Sequence, residues 1–131
     1  MEFLHQDTTE RIIKCFYEVY NTLGYGFLEK VYERAMVSEL INAGLRAQSQ
    51  VPVKVHYKGV EVGDYFADII VDDLVILELK AAEGVVEEHE LQLINYLKAT
   101  EKEVGLLLNF GRRPEIRRKI FTNDRKDTLN L

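Results

Sequence analysis

The chemistry this sequence can offer is concentrated in one apolar stretch, DYFADIIVDDLVILELK from Asp64 to Lys80, which carries Asp68, Glu78 and Lys80. Nearly every residue around those three is apolar. A charge buried without a partner is strongly disfavoured, so two carboxylates and an ammonium in such a run need compensation. A bound divalent cation is the simplest source of it. Paired carboxylates form a hard oxygen site suited to Mg2+ or Mn2+. Lys80 beside them would orient an attacking water or stabilise charge on a phosphorane-like transition state. The competing reading is a cross-strand salt bridge on a half-exposed sheet face, because strings of this kind also arise by chance.

Strand geometry sharpens the expectation. Side chains at i and i+2 share a face, so Glu78 and Lys80 point the same way while Leu79 enters the opposite layer. Asp68 lies directly across from Glu78 if the connection is the three-residue loop Asp72-Asp73-Leu74. A two-residue loop would oppose Asp68 to Leu77 unless a bulge restored the pairing. The sequence therefore predicts an odd-length loop or a bulge between these strands.

The elements that must position this stretch follow from periodicity. Asp7 or Thr8 caps a first helix, whose apolar face runs through Ile12, Ile13, Phe16, Val19 and Leu23 and which Gly24-Tyr25-Gly26 ends. A second helix spans about Leu28 to Ala43, stopped at Gly44. On it Glu29 aligns with Tyr32, Glu33 and Met36, an acidic residue on an apolar stripe. The ordinary reading of Glu29 is a solvated carboxylate favoured by the helix dipole. Val51, Val53 and Val55 alternate as a half-buried strand that Pro52 assigns to an edge or a strand start. Strands follow over Val60 to Val71 and Leu74 to Ala81.

A third helix covers about Glu87 to Thr100. His89, Gln92 and Tyr96 share one of its faces and could reach a site on the preceding strands, although His89 alone reads better as part of a polar helix edge. VGLLLNF, from Val104 to Phe110, has the continuous apolar character of a strand covered on both sides. Ile116, Ile120 and Phe121 belong to a last short strand or helix. The same region holds the one concentrated basic segment: Arg112, Arg113, Arg117, Arg118 and Lys119. Such a run is usually a solvated face, yet it is also the best candidate phosphate contact. The tail at 122–131 is polar and reads as loosely held. This order predicts an α/β sandwich on a mixed sheet, with an antiparallel hairpin and a crossover through the third helix into a parallel strand.

The 131 residues suit one domain, 1–131, with its core at about 8–121. No apolar run approaches the ~20 residues of a membrane span, and the N-terminus lacks a secretory pattern. The single cysteine, Cys15, fits helix packing in a reducing compartment, so the expected location is the cytoplasm. The net charge of −5 is awkward for a nucleic-acid partner, for which a basic field is usual. One divalent ion would bring −5 to −3, and weak non-specific DNA affinity or a need for a partner protein would still follow. A homodimer is a separate expectation, since two copies would offer two sites for two strands.

Taken together these residues resemble the GxxExxY family, a branch of the PD-(D/E)xK nuclease superfamily. The name motif stands as Gly26-Phe27-Leu28-Glu29-Lys30-Val31-Tyr32. The superfamily core appears as Asp68 with Glu78-Leu79-Lys80, with Ala67 where the name has proline. Gln92-Leu93-Ile94-Asn95-Tyr96 is similar to the Q-x-x-x-Y signature of RecB-type nucleases, and GLLLNFG from Gly105 to Gly111 to the family's closing strand. The resemblance runs from about Thr8 to Phe121.

It implies a three-layer sandwich with a central mixed sheet flanked by helices, and a magnesium-dependent enzyme hydrolysing phosphodiester bonds in DNA. Asp68 and Glu78 would hold the metal, with the Leu79 carbonyl as a further ligand and Glu29 completing the site. Lys80 would position the water. Gln92 and Tyr96 would orient the DNA backbone or support Lys80, with Tyr32 part of the same motif set. The alternative is a catalytically idle module of the same fold that binds nucleic acid or a protein.

Overall fold

A computed structural model describes residues 4–126. The elements run in the order α1 (Gln6–Leu23), α2 (Glu29–Asn42), β1 (Ala47–Tyr57), β2 (Val60–Val71), β3 (Val75–Lys80), α3 (Glu87–Lys98), β4 (Val104–Phe110) and β5 (Pro114–Ile120), with a short 3-10 turn at Asn123–Arg125. The five strands form one mixed sheet in the order β1-β2-β3-β4-β5. Only β3 and β4 pair in parallel, and α3 links them as the crossover. This is the α/β sandwich expected from the residue pattern. No helix among the described residues is long and apolar enough to cross a membrane.

Each face of the sheet buries its own apolar cluster. Ile12, Phe16, Tyr32, Met36 and Leu40 of α1 and α2 pack on Val75, Leu77, Leu79, Leu106 and Leu108. Leu93, Tyr96 and Leu97 of α3 pack on Ile76 and Leu107 from the other side. β3 and β4 are thus covered twice, which is why their sequences read as continuous apolar runs. The odd loop is present: Val71 pairs with Val75, leaving Asp72-Asp73-Leu74 as the connection. Asp72 and Asp73 both adopt positive φ, at 52° and 56°, a region that short Asp side chains tolerate. Arg46 N–H donates to Asp72 Oδ1 at 2.9 Å, and Lys102 bridges to Asp73 at 2.8 Å. Pro52 is accommodated because β1 is an edge strand.

Two local expectations are corrected and one alternative is resolved. α1 starts at Gln6, so neither Asp7 nor Thr8 caps it; His5 stands at the N-cap in left-handed conformation without a side-chain cap, and Thr9 Oγ bonds back to the Gln6 carbonyl. Of the strand-or-helix alternative, Ile116 and Ile120 take the strand, in β5 paired antiparallel to β4, and Phe121 lies just past its end. The beginning of the polar tail is tied down, since Lys126 Nζ donates to the Thr100 and Lys102 carbonyls at 2.9 and 2.7 Å. The remainder of that tail lies outside the described residues.

A close backbone approach fixes the segment after β3. Asn109 on β4 grips Ala82 with both ends of its amide, accepting from Ala82 N–H and donating to its carbonyl, each at 3.0 Å. A Cβ on Gly111 would lie 2.3 Å from that carbonyl oxygen, whereas one on Gly84 would meet nothing closer than 4.0 Å. Gly111→Ala is expected to cost ~1–3 kcal/mol of stability through this overlap, and Gly84→Ala to stay within ~0.5 kcal/mol of wild type. Urea unfolding of the two variants checks the contrast.

Candidate metal and phosphoryl-transfer site

The pairing of β2 with β3 covers only Ile69↔Leu77, Ile70↔Ile76 and Val71↔Val75. One step further, where Asp68 would meet Glu78, side chains replace the backbone ladder. Asp68 N–H donates to Glu78 Oε2 at 2.8 Å, and Leu79 N–H donates to Asp68 Oδ2 at 2.8 Å. Each carboxylate is therefore fixed through one oxygen by an amide at the mouth where the strands part. Among the described residues no further hydrogen bond engages Asp68 Oδ1 or Glu78 Oε1.

Two acids so close, one buried and the other partly buried, resist ionising together. Glu78 is only 4% exposed. Burial first, and the Asp68 charge second, push its carboxyl up to about 8. Burial likewise raises Asp68, partly opposed by the Leu79 amide. Lys80 favours the charged form of both, yet among the described residues it forms no ion pair with either. The arrangement is accordingly a repelling pair with a cation nearby rather than the cross-strand salt bridge.

α2 adds two acids from the side. Glu29 stands at its first residue, exposed, and its charge is felt at both Asp68 and Glu78. Glu33, one turn on, is 7% exposed and raises Asp68 more than Glu29 does. Glu33 Oε1 accepts from Gln50 Nε2 at 2.8 Å, and Lys30 Nζ donates to Oε2 at 3.1 Å. Gln50 itself falls between the pairs Ser49↔Ile69 and Val51↔Ala67, at the register position of Asp68. Its φ is 53°, an uncommon, strained value for a non-glycine residue. The strand faces invert there: Ile69 and Val71 pack with α1 and α2, but Ala67 packs with α3. Gln50 and Glu33 escaped the sequence reading as site residues. Glu33 had a signal, its shared stripe with Glu29, whereas a left-handed glutamine inside a strand leaves none.

From the opposite side Tyr96 of α3, 5% exposed, comes close enough that burial and the charges of Glu78 and Asp68 push its hydroxyl up to about 12. Gln92 shares its face, one turn away, beside an open groove. His89 is engaged at the helix start, where Nδ1 accepts from Val86 N–H at 3.3 Å. Tyr32 is fully buried; its hydroxyl donates to the Gly24 carbonyl at 2.7 Å and accepts from Phe27 N–H at 3.2 Å, and its ring stacks on Phe110. It closes the glycine-bounded loop that sets where α2, and so Glu29, begins.

Arg117, Arg118 and Lys119 stand on β5, two strands from Glu78 in the sheet order. Arg117 pairs with Glu115 at 3.3 Å, Lys119 with Glu90 at 2.6 Å, and Arg118 donates to the Leu4 carbonyl at 2.6 Å. Arg112 and Arg113 occupy the β4–β5 turn, bordering an open depression with Glu83 and Glu115.

The donor set fits a hard divalent cation: two carboxylates, each with one oxygen outside the amide clasp, whose repulsion a cation would relieve. Among the described residues no cluster of three or more His, Cys, Asp or Glu is arranged to hold a metal. Mg2+ in particular is commonly bound through one or two carboxylates plus substrate phosphates, so this number is sufficient. A comparison with protein-family models matches residues 6–119 to the PD-(D/E)XK nuclease superfamily. No curated protein and no solved structure matches the chain.

Proposed function

The chain belongs to the PD-(D/E)XK nuclease superfamily, and we propose that it is a metal-dependent nuclease of the GxxExxY branch that hydrolyses phosphodiester bonds in DNA. That superfamily generally hydrolyses phosphodiesters and typically uses divalent metals. The observation carrying the reading is the Asp68–Glu78 clasp with Lys80 beside it. Asp68 and Glu78 would hold Mg2+ or Mn2+, with the Leu79 carbonyl as a further ligand and Glu29 or Glu33 approaching from α2. When bound, the ion supplies charge neutralisation at the phosphoryl oxygens and a site for the attacking water.

The residues of the chain do the rest. Lys80 orients that water or stabilises the charge developing on the phosphorus oxygens. Tyr96 and Gln92 steady the substrate backbone or Lys80 from α3. Arg112 and Arg113 are the basic residues best placed to meet phosphate, since Arg117 is paired with Glu115. The lone cysteine, Cys15, is buried in helix packing, which fits a cytoplasmic protein. The test is cleavage of plasmid and single-stranded DNA with Mg2+ or Mn2+. Cleavage that a chelator stops supports the proposal, and persistence of both substrates across metals contradicts it.

A further inference from the structure

Beyond Ile69 the β1–β2 hairpin leaves β3 and projects past the sheet. Between it and α3 lies a groove of ≈ 520 Å³, walled by Val55, Val62 and Tyr65 on one side and Gln92, Asn95 and Tyr96 on the other. Tyr96 joins this groove to the strands that carry the carboxylate pair, because it packs in one cluster with Ala67, next to Asp68 on β2, and Ile76, two residues before Glu78 on β3. Tyr65 is half exposed and its ring centroid stands 5.9 Å from that of Tyr96. Gly63 thins the hairpin wall: a Cβ there would sit 3.0 Å from the Tyr65 ring and 3.3 Å from Val55 Cβ.

The lining has the composition of a base slot. It offers an aromatic face, aliphatic walls and two side-chain amides able to meet a base edge. Its volume lies in the ordinary range of small-ligand pockets, ~300–1,000 Å³. No carboxylate lines it, and its single cation is Lys98. Charge separates the possible nucleic acids. A duplex hides its base faces and is gripped mainly through phosphates, but this chain carries a net −5 and commits Arg117 and Lys119 to internal acids. Affinity must then come chiefly from stacking, which requires unpaired bases.

We infer that the groove between the β1–β2 hairpin and α3 binds an unpaired nucleobase of a single-stranded nucleic acid, seating the adjoining phosphate at Asp68 and Glu78. The inference rests on the nuclease reading for that last step only. It is tested without metal or turnover, by following amide resonances of the full chain by NMR as a short oligothymidylate, a short oligouridylate or a blunt duplex is added.

Shifts centred on Gly63 and the side-chain amides of Gln92 and Asn95, with either single strand and weaker with the duplex, are the expected result. Tyr65→Ala should weaken single-strand binding about 5- to 150-fold, the ~1–3 kcal/mol of one base–aromatic stack. Val62→Glu, at a 61% exposed position, should weaken it through charge without disturbing the core. Shifts elsewhere, duplex binding equal to single-strand binding, or wild-type affinity in both variants would overturn the slot. Binding in the groove without cleavage under any divalent ion would leave the slot standing and remove the hydrolytic reading. Cleavage indifferent to Tyr65→Ala and Val62→Glu would do the reverse.

Discussion

Asp68→Asn and Lys80→Ala are each expected to lower divalent-dependent cleavage by about 10²–10⁴-fold while leaving a folded protein. Asp68→Asn keeps an oxygen to accept from Leu79 N–H but removes half of the negative charge that would hold the cation. Lys80 is the ammonium beside the pair and makes no ion pair that its loss would orphan among the described residues. A merely structural role predicts the opposite order, with folding damaged before cleavage. Circular dichroism and initial cleavage rates on the same samples separate the two.

The second large effect appears without any metal. Glu78→Gln is expected to make the protein more stable than wild type at alkaline pH and nearly equal to it in acid. The folded carboxyl titrates at about 8, above the ordinary 4.5, so the native state binds the proton more tightly than the unfolded chain. Stability is fully present below the unfolded value and falls as pH rises toward the folded one, by up to ~1.4 kcal/mol per unit. Glutamine removes that dependence and still accepts from Asp68 N–H. Urea midpoints at about pH 5 and about pH 9 provide the measurement. Parallel pH profiles for the two proteins would mean that Glu78 ionises freely.

Much of this site was legible because strand arithmetic is rigid. Alternation of two and a three-residue loop bring Asp68 across from Glu78, and the structure has that loop. The order of elements was legible for the same reason, since each apolar run matched the period of the element it forms. What escaped was long-range. No local pattern announces that Gln50 adopts φ 53° or that it reaches Glu33, because both depend on how the hairpin turns over at Asp68. The aligned acidic residues of α2 were visible, but that Glu33 is the buried one goes with its long-range partner Gln50 on β1, which no local pattern announces. Tyr32 shows the limit of motif reading: adjacent in the motif to Glu29, it spends its hydroxyl on the Gly24–Phe27 loop. The basic run looked like a phosphate contact until pairing with Glu115 and Glu90 divided it.

Calorimetric titration of Mn2+ into wild type and Asp68→Asn near neutral pH tests the central claim most directly. One site should bind in wild type with an enthalpy that varies with the ionisation heat of the buffer, because the cation displaces the proton held by Glu78. The variant should bind far more weakly or not at all. Absence of binding to wild type, or equal binding by both proteins, would contradict a metal site at Asp68 and Glu78.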